Sequence, residues 1–347
     1  MRIKWNAKNR ALVFVLLAVH LPVVFPGFFS PNDYATQNRN LPFAPPTKLH
    51  LVDEAGHFHF RPFVYELNET GSGERGTTYQ ESRIARFPVH FFVHSAAEDS
   101  SNSGTPRLHF FGVEQPGLVY LMGTDGFGRD VFSRMLFGGR ISLAAGVLAT
   151  CLALSLAIVL GVISGFYGHW VDTIVMRGVD IFLALPWLCL LFAVRAVLPL
   201  HIRTTETFLL FVGIIGIVGW ARPARLIRGL VLTAKERNFV LASRAFGASD
   251  FHILRRHILP QVTGTLLTLA ALLIPQFLLA EVTLSFLGLG VGEPLPSLGN
   301  LLAELQKYSV LTSYWWMYCP AMALVLLFLA YQWTAKALQD EITEVTW

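Results

Sequence analysis

The 26 residues from Ile141 to Phe166 contain no Asp, Glu, Lys or Arg. As a helix they measure roughly 39 Å, more than the ~30 Å hydrocarbon thickness of a bilayer. No water reaches a stray N–H or C=O inside lipid, so such a run must close its hydrogen bonds within itself, as a helix. Five further apolar runs invite the same reading: Ala11–Phe29, Ile181–Leu200, Phe208–Trp220, Val262–Phe286 and Trp315–Trp333. The expected fold class is an all-α polytopic membrane protein with about six transmembrane helices. Composition agrees: 53% of residues are hydrophobic and only 14% charged, with a mean hydropathy of +0.50. That balance is far from a soluble domain.

The first run follows the basic lead "MRIKWNAKNR", and no Ala-x-Ala cleavage pattern follows it. It is therefore expected to stay as an uncleaved first helix rather than serve as a signal peptide. Lys and Arg then orient the chain. Arg2, Lys4, Lys8 and Arg10 precede the first run, and Arg222, Arg225, Arg228, Lys235, Arg237, Arg244, Arg255 and Arg256 lie between the fourth and fifth. The alternate connections are nearly free of them, with Arg203 in one and Lys307 in the other. The positive-inside rule puts both termini and the fourth-to-fifth connection in the cytoplasm.

Between the first two runs lies a long extracytoplasmic segment, Ser30–Arg140. "PNDYATQNRNLPFAPP" predicts extended or coiled chain. "KLHLVDEAGHFHFRPFVYEL" and "RFPVHFFVH" alternate and are rich in aromatic and β-branched residues, which predicts short strands. "NETGSGERGTT" and "SAAEDSSNSGT" read as turns between them, so a small β-rich extracytoplasmic insertion between helices 1 and 2 is expected. His57/His59 and His90/His94 could each chelate from one strand face. No Cys or carboxylate cluster completes a ligand set, so no metal site is expected. Cys151, Cys189 and Cys319 fall in apolar runs and read as small core residues. The sequon at Asn68 has no supporting context.

The most unusual stretch is "ASRAFGASDFHILRRHILP", Ala242–Pro260. Lys235–Phe246 favours a helix with Phe239, Ala242 and Phe246 in one stripe. Gly247 reads as its left-handed terminator, Ser249 as the N-cap of a second helix, and Asp250 as the acid favoured in a first turn. Phe251, Leu254 and Ile258 then share a face, and Pro260 is expected to end or kink the helix where it meets the fifth span. A polar helix–bend–helix wired to a span suits force transmission. A basic amphipathic loop on anionic headgroups is the plainer alternative. A helix-turn-helix reader of DNA is disfavoured, because the second helix is fused to a span; no nucleic-acid partner is expected.

These residues resemble the EAA loop of ABC-transporter permease subunits: a Glu-Ala-Ala element, a glycine at fixed spacing and a terminal Leu-Pro. Gly247, Leu259 and Pro260 occupy the matching positions. Further segments resemble the C-type permease subunit of dipeptide, oligopeptide and nickel importers: "LMGTDGFGRDVFSRMLFGGRISL" (Leu121–Leu143), "GFYGHWVDTIVMRGVDIFLALPWL" (Gly165–Leu188), "GWARPARLIRGLVL" (Gly219–Leu232) and "LAEVTLSFLGLGVGEPLPSLGNLL" (Leu279–Leu302). The resemblance covers about Gly123 to the C-terminus. It implies the type I ABC importer permease fold in a bacterial inner (cytoplasmic) membrane. It also implies half of a transmembrane pathway for di- or oligopeptides, with nickel complexes or oligosaccharides as lesser alternatives.

The implied partners are a homologous second permease subunit, two ATP-binding cassette ATPase subunits and an extracytoplasmic substrate-binding protein, besides the lipid bilayer. Ala242, Ser243, Gly247, Ala248, Ser249 and Asp250 would form the docking element. Leu241 stands where the family carries glutamate and Ser243 where it carries the second alanine. Leucine cannot supply a carboxylate's polar contacts but fits an apolar docking surface. The expected domains are 1–29 (lead and first helix), 30–120 (insertion) and 121–347 (permease domain, coupling loop at 235–260).

No catalytic constellation is legible: GxxxxGK[ST], HExxH and GxSxG are all missing from the sequence. No cofactor is expected, ATP being bound by the partner subunits, and the chain is not expected to be an enzyme. "GTDGFGRD" reads as a turn and helix start near the membrane surface, a candidate contact for the binding protein. Intramembrane charges are functional candidates by default. Arg195 reads as a snorkelling residue or a substrate contact, and Glu281 as a pathway residue or a brace for the Gly288/Gly290 turn. Asp172, Arg177 and Asp180 read as structural ion-pair residues. A stand-alone secondary transporter or channel is the competing class, and it should show internal repeats, which the halves lack. A membrane receptor or scaffold is weaker still.

Overall fold

The computed structural model describes residues 7–73, 76–94, 108–197 and 204–345. In chain order the elements are α1 (Ala7–Val24), α2 (Pro26–Phe29), β1 (His50–Val52), β2 (Phe58–Gly73), β3 (Gly76–His94), β4 (Leu108–Val113), α3 (Val131–Tyr167), α4 (His169–Ala184), α5 (Trp187–Val197), α6 (Thr204–Gly219), α7 (Ala221–Lys235), α8 (Asn238–Ala245), α9 (Asp250–Ile253), a π-turn (Leu254–Ile258), α10 (Leu259–Phe286), α11 (Leu298–Ala303), α12 (Tyr308–Ser313) and α13 (Cys319–Val345). They form two compact units: Met1–Leu16 with Leu143–Leu284 and Leu327–Trp347, and Leu17–Ser142 with Ser285–Leu326.

Among the described residues, Val131–Tyr167, Asp250–Phe286 and Trp315–Asp340 are long and apolar enough to span a membrane. Two further candidate spans are broken: α4 and α5 meet at 89°, α6 and α7 at 43°. The expected straight third span is therefore corrected. Pro186 has no N–H to donate and holds Leu185 extended (φ −93°, ψ 139°), so the helix divides there. The far end of that run, 198–200, lies outside the described residues.

The basic segment after Trp220 is not a loop but the helix α7. Ala221, Pro223, Ala224, Ile227, Val231 and Ala234 form its buried stripe, while Arg222 and Arg225 stay exposed. The apolar core beneath it gathers Ala157, Phe166, Val179, Trp220, Val240, Ile253, Ile258 and Val262. Glycines on α3 permit the close approach of α7. A Cβ at Gly161 would sit 2.7 Å from the Ala224 carbonyl, and one at Gly165 would sit 2.9 Å from that of Arg228, the small-residue packing that membrane helices use. Arg228 Nε and Nη2 donate to the two oxygens of Asp172, each at 2.5 Å, with Ser164 Oγ also at 2.5 Å. Arg225 pairs with Asp180. The structural role expected for the two aspartates thus has partners, supplied by α7. Cys151 and Cys189 are exposed within the chain rather than in its core. On a membrane helix an apolar residue has no need to face inward.

The other unit carries an antiparallel sheet in the order β1-β2-β3-β4. Its two central strands are long, at 16 and 19 residues. The expected turn "NETGSGERGTT" mostly pairs instead: Glu69 opposes Tyr79, Ser72 opposes Thr77 and Gly73 opposes Gly76. Cross-strand contacts of Thr and Tyr outweigh the local Gly/Ser signal. The other expected turn, 95–105, lies outside the described residues. Val64, Val89 and Val119 form one small core, and Leu41, Ala44 and Tyr120 another. Burial pushes the Tyr120 hydroxyl up to about 12. His57 and His59 turn to Asp53, at 3.5 and 3.1 Å, and Arg86 reaches the same carboxylate at 2.7 Å. The His59 hydrogen bond, with the His57 backbone N–H, holds Asp53 well below the usual carboxylate range.

Candidate functional site

The Leu241–Pro260 unit begins with a break. α7 stops at Lys235, and Arg237 is extended (φ −71°, ψ 141°), so the expected helix from Lys235 shortens to Asn238–Ala245. Its end is closed twice. The Ala248 N–H reaches the Ser243 carbonyl at 3.1 Å and the Gly247 N–H reaches that of Arg244 at 3.0 Å. That nested pair is a Schellman motif, which needs a left-handed residue. Gly247 supplies it at φ +81°. Nothing lies within 4 Å of where its Cβ would be, so the backbone, not space, requires glycine.

Ser249 then accepts the His252 N–H at 3.3 Å as N-cap, and Asp250 occupies the first turn. Both expectations hold. Arg244 lies 3.6 Å from Asp250 across the bend, but both are half exposed and such a pair contributes little. Pro260 does not end the helix, which continues through it to Phe286. A π-turn precedes it, with the Leu259 N–H bonded to the Leu254 carbonyl five residues back. Pro260 itself has no N–H to add to the ladder, and such single wide turns occur inside α-helices. Asp250–Phe286 is consequently one helix of 37 residues.

Burial divides the unit by face. Val240, Ile253 and Ile258 are fully buried in the core under α7. Leu241 is 51% exposed, Phe246 91% and Phe251 71%, with Ala242, Asp250 and Pro260 exposed beside them and Ser243, Ala248 and Leu259 half buried. Arg255 and Arg256 project outward. His257 lies between the rings of Phe239 and His252, at 5.7 and 5.9 Å. A rigid base thus presents an apolar crest flanked by cations, and no residue on it is arranged for bond-making chemistry.

The pathway candidates are less gathered. Arg195 falls within α5, and its side chain lies outside the described residues. Glu281 is fully buried on α10. Gly288 is left-handed at φ +73°, and a Cβ at Gly290 would overlap Ser285 Oγ at 1.9 Å. The turn there is braced by Ser285 Oγ, which accepts the Val291 N–H at 3.3 Å, and by Asn300, which donates to the Val291 carbonyl at 2.7 Å.

Sequence reasoning missed a charged network on the "GTDGFGRD" turn. Asp125 Oδ1 accepts the Phe127 and Arg129 N–H groups at 2.9 and 3.0 Å. Its Oδ2 receives Arg129 Nε at 2.7 Å and faces Arg134 Nε at 3.5 Å. Glu293 bridges the same two arginines, at 3.0 and 2.8 Å. Asp130 caps α3 by accepting the Phe132 N–H at 3.1 Å, and burial pushes its carboxyl up to about 6. Glu293 lies far along the chain from its arginines, which is why no local pattern announces the network.

Residues 157–344 match the family described as binding-protein-dependent transport system inner membrane component. The chain belongs to that family: it is a multi-pass inner-membrane component of such a transport system. It is 38% identical over 226 residues to a protein of Brucella suis biovar 1 whose name, peptide permease protein, is provisional, covering 65% of this chain and 73% of that one. It is 34% identical over 228 residues to the dipeptide transport system permease protein DppC of Bacillus subtilis, covering 65% and 69%. Among solved structures, an amino acid ABC transporter crystallised with histidines overlays at a TM-score of 0.45 with 15% identity, covering 60% of this chain and 94% of that one, too loosely to carry weight.

Proposed function

We propose that this chain is one permease half of an ATP-driven importer of di- or oligopeptides. The observation that carries the reading is the Leu241–Pro260 unit: a base locked into the core, an exposed apolar crest, and an unbroken helix running from it into a span. Such a unit is mechanically coupled to α10 and incomplete on its outer face. Leu241, Ala242, Ser243, Gly247, Ala248, Ser249 and Asp250 seat in a groove of an ATPase subunit, which binds the ATP, and Leu259 and Pro260 join that seat to the span. This chain holds no cofactor and catalyses no step itself. A second, homologous permease completes the pathway, two ATPases drive it, and an extracytoplasmic binding protein delivers the peptide. Both termini face the cytoplasm. Peptide cargo rests on the names of the two relatives.

The test is retention of the ATPase. Wild-type chain purified from its own membranes should bring the ATPase with it, and Gly247→Asp should lose it while still inserting. Peptide uptake by the isolated chain in liposomes without ATP would overturn the proposal and favour a stand-alone transporter. Cargo is tested separately, by identifying the ligand of the cognate binding protein.

A further inference from the structure

The β insertion carries an apolar feature that the transport reading leaves unused. Phe91 and Phe92 are adjacent on β3 and should point to opposite faces. Phe92 instead adopts φ 57°, a left-handed conformation costly for a bulky residue. Both rings then reach Phe110 of β4, each at 5.8 Å. Phe28 and Phe29 of α2 join the same cluster, at 5.8 and 5.9 Å from Phe110. Despite this packing, Phe91 and Phe92 remain 60% and 59% exposed. No acidic residue occurs in 82–94 or 108–113.

What covers these rings follows from what they continue. α2 comes directly after α1, whose exposed Phe14, Leu17, Leu21 and Val24 form one apolar stripe that Phe25, the N-cap of α2, continues. β4 is tied to that exit by His109 Nδ1, which donates to the Ser30 carbonyl at 2.5 Å. α1 is read as a span from its sequence, its described apolar stretch being Phe14–Val24, and the rings stand where such a span leaves the hydrocarbon. An aromatic face free of acids suits that depth, about 5–10 Å into the headgroup and acyl boundary.

We infer that the end of the sheet carrying Phe91, Phe92 and Phe110 rests in the bilayer interface at the exit of α1, so that the insertion is seated on lipid rather than held free in water. The inference depends on α1 crossing the bilayer and not on ATPase coupling. Ile84 provides the contrast: it is 95% exposed on the same strand but lies seven residues from Phe91, past the register shift that leaves 83–85 unpaired with β2, at most about 24 Å along the strand.

The full chain, in its native membrane and with its partners, is made with the photo-cross-linker p-benzoylphenylalanine at position 91, 92 or 84. The analogue retains the aromatic ring, so the fold at 91 and 92 is conserved, and insertion is checked by membrane fractionation. Phospholipid adducts at 91 and 92, at least tenfold above those at 84, are expected. Adducts of 91 and 92 with polypeptide would assign the patch to a protein partner and overturn the inference. Equal lipid labelling at 84, or no adduct at 91 and 92, would overturn it as well. Loss of ATPase co-purification in Gly247→Asp has no bearing on these outcomes, so the two readings fail separately.

Discussion

The turn from Thr124 to Arg134 buries its charges, whereas the segment from Leu241 to Phe251 exposes its rings. In the first, Asp125 and Arg134 are almost inaccessible, and Glu293, arriving from far along the chain, closes the network. In the second, Phe246 and Phe251 stand in solvent while only Val240 and the residues behind them are held. Buried ions must be matched by their own chain, because an unmatched one costs several kcal/mol. An exposed apolar crest costs the fold little, and a patch of that kind is the usual mark of an interaction site. The first region is matched mostly within this chain, with Arg134 Nε and Nη1 buried without a hydrogen-bond partner; the second, under the proposed function, is completed by an ATPase subunit.

The sharpest way to break that contrast is Asp125→Ala. It strands Arg129 and Arg134 and removes the acceptor of two backbone N–H groups, so a loss of about 3–5 kcal/mol is expected, read as a lowered unfolding temperature in detergent. An unchanged unfolding temperature would mean that Glu293 alone suffices. Gly247→Val comes next. A side chain in the left-handed region costs about 1–2 kcal/mol, and Gly247→Asn should cost less, since asparagine tolerates that conformation. ATPase retention should fall in the same order.

Asp130 sharpens the first region by pH. Burial lifts its carboxyl to about 6 from the ordinary 3.8, so the folded state holds the proton more tightly. Stability should therefore fall as pH rises from 3.8 to about 6, by less than about 1.4 kcal/mol per unit. Asp130→Asn should flatten that slope in pH-dependent melting. The smallest effects on stability belong to the crest. Phe246→Ser and Leu241→Glu should each stay within about 0.5 kcal/mol of wild type. Phe246→Ser should weaken ATPase binding, and Leu241→Glu, restoring the family's acid, should strengthen it. A clear change in melting for Phe246→Ser would show that the ring is packed after all.

Legibility followed locality. Gly247 and Ser249 act on backbone groups a few residues away, so their roles could be read from sequence, and they appear as N–H bonds at 3.0 and 3.3 Å. The runs 141–166, 262–286 and 315–333 were equally plain, each falling in one long apolar helix, whereas the run 181–200 divides at Leu185. α7 was mistaken for a connection: its charges mark one face, while the stripe from Ala221 to Ala234 becomes visible only at helical spacing. Pro260 does not end the helix, because proline's effect depends on the turn before it. The length of β2 and β3 and the Arg129–Glu293–Arg134 bridge depend on pairings distant in sequence, which no window records.

The π-turn at Leu254–Ile258 sets the phase of a single rod running from Asp250 to Phe286, roughly 55 Å long. Converting it to α geometry would take up one residue, rotating the rest by about 100° and advancing it by about 1.5 Å. Phe277, Leu278 and Glu281 are buried in the present phase. Under the proposed function, a pull by the ATPase at the Ser249 end that changed this phase would reach the far end as rotation of that buried face, a screw as much as a piston.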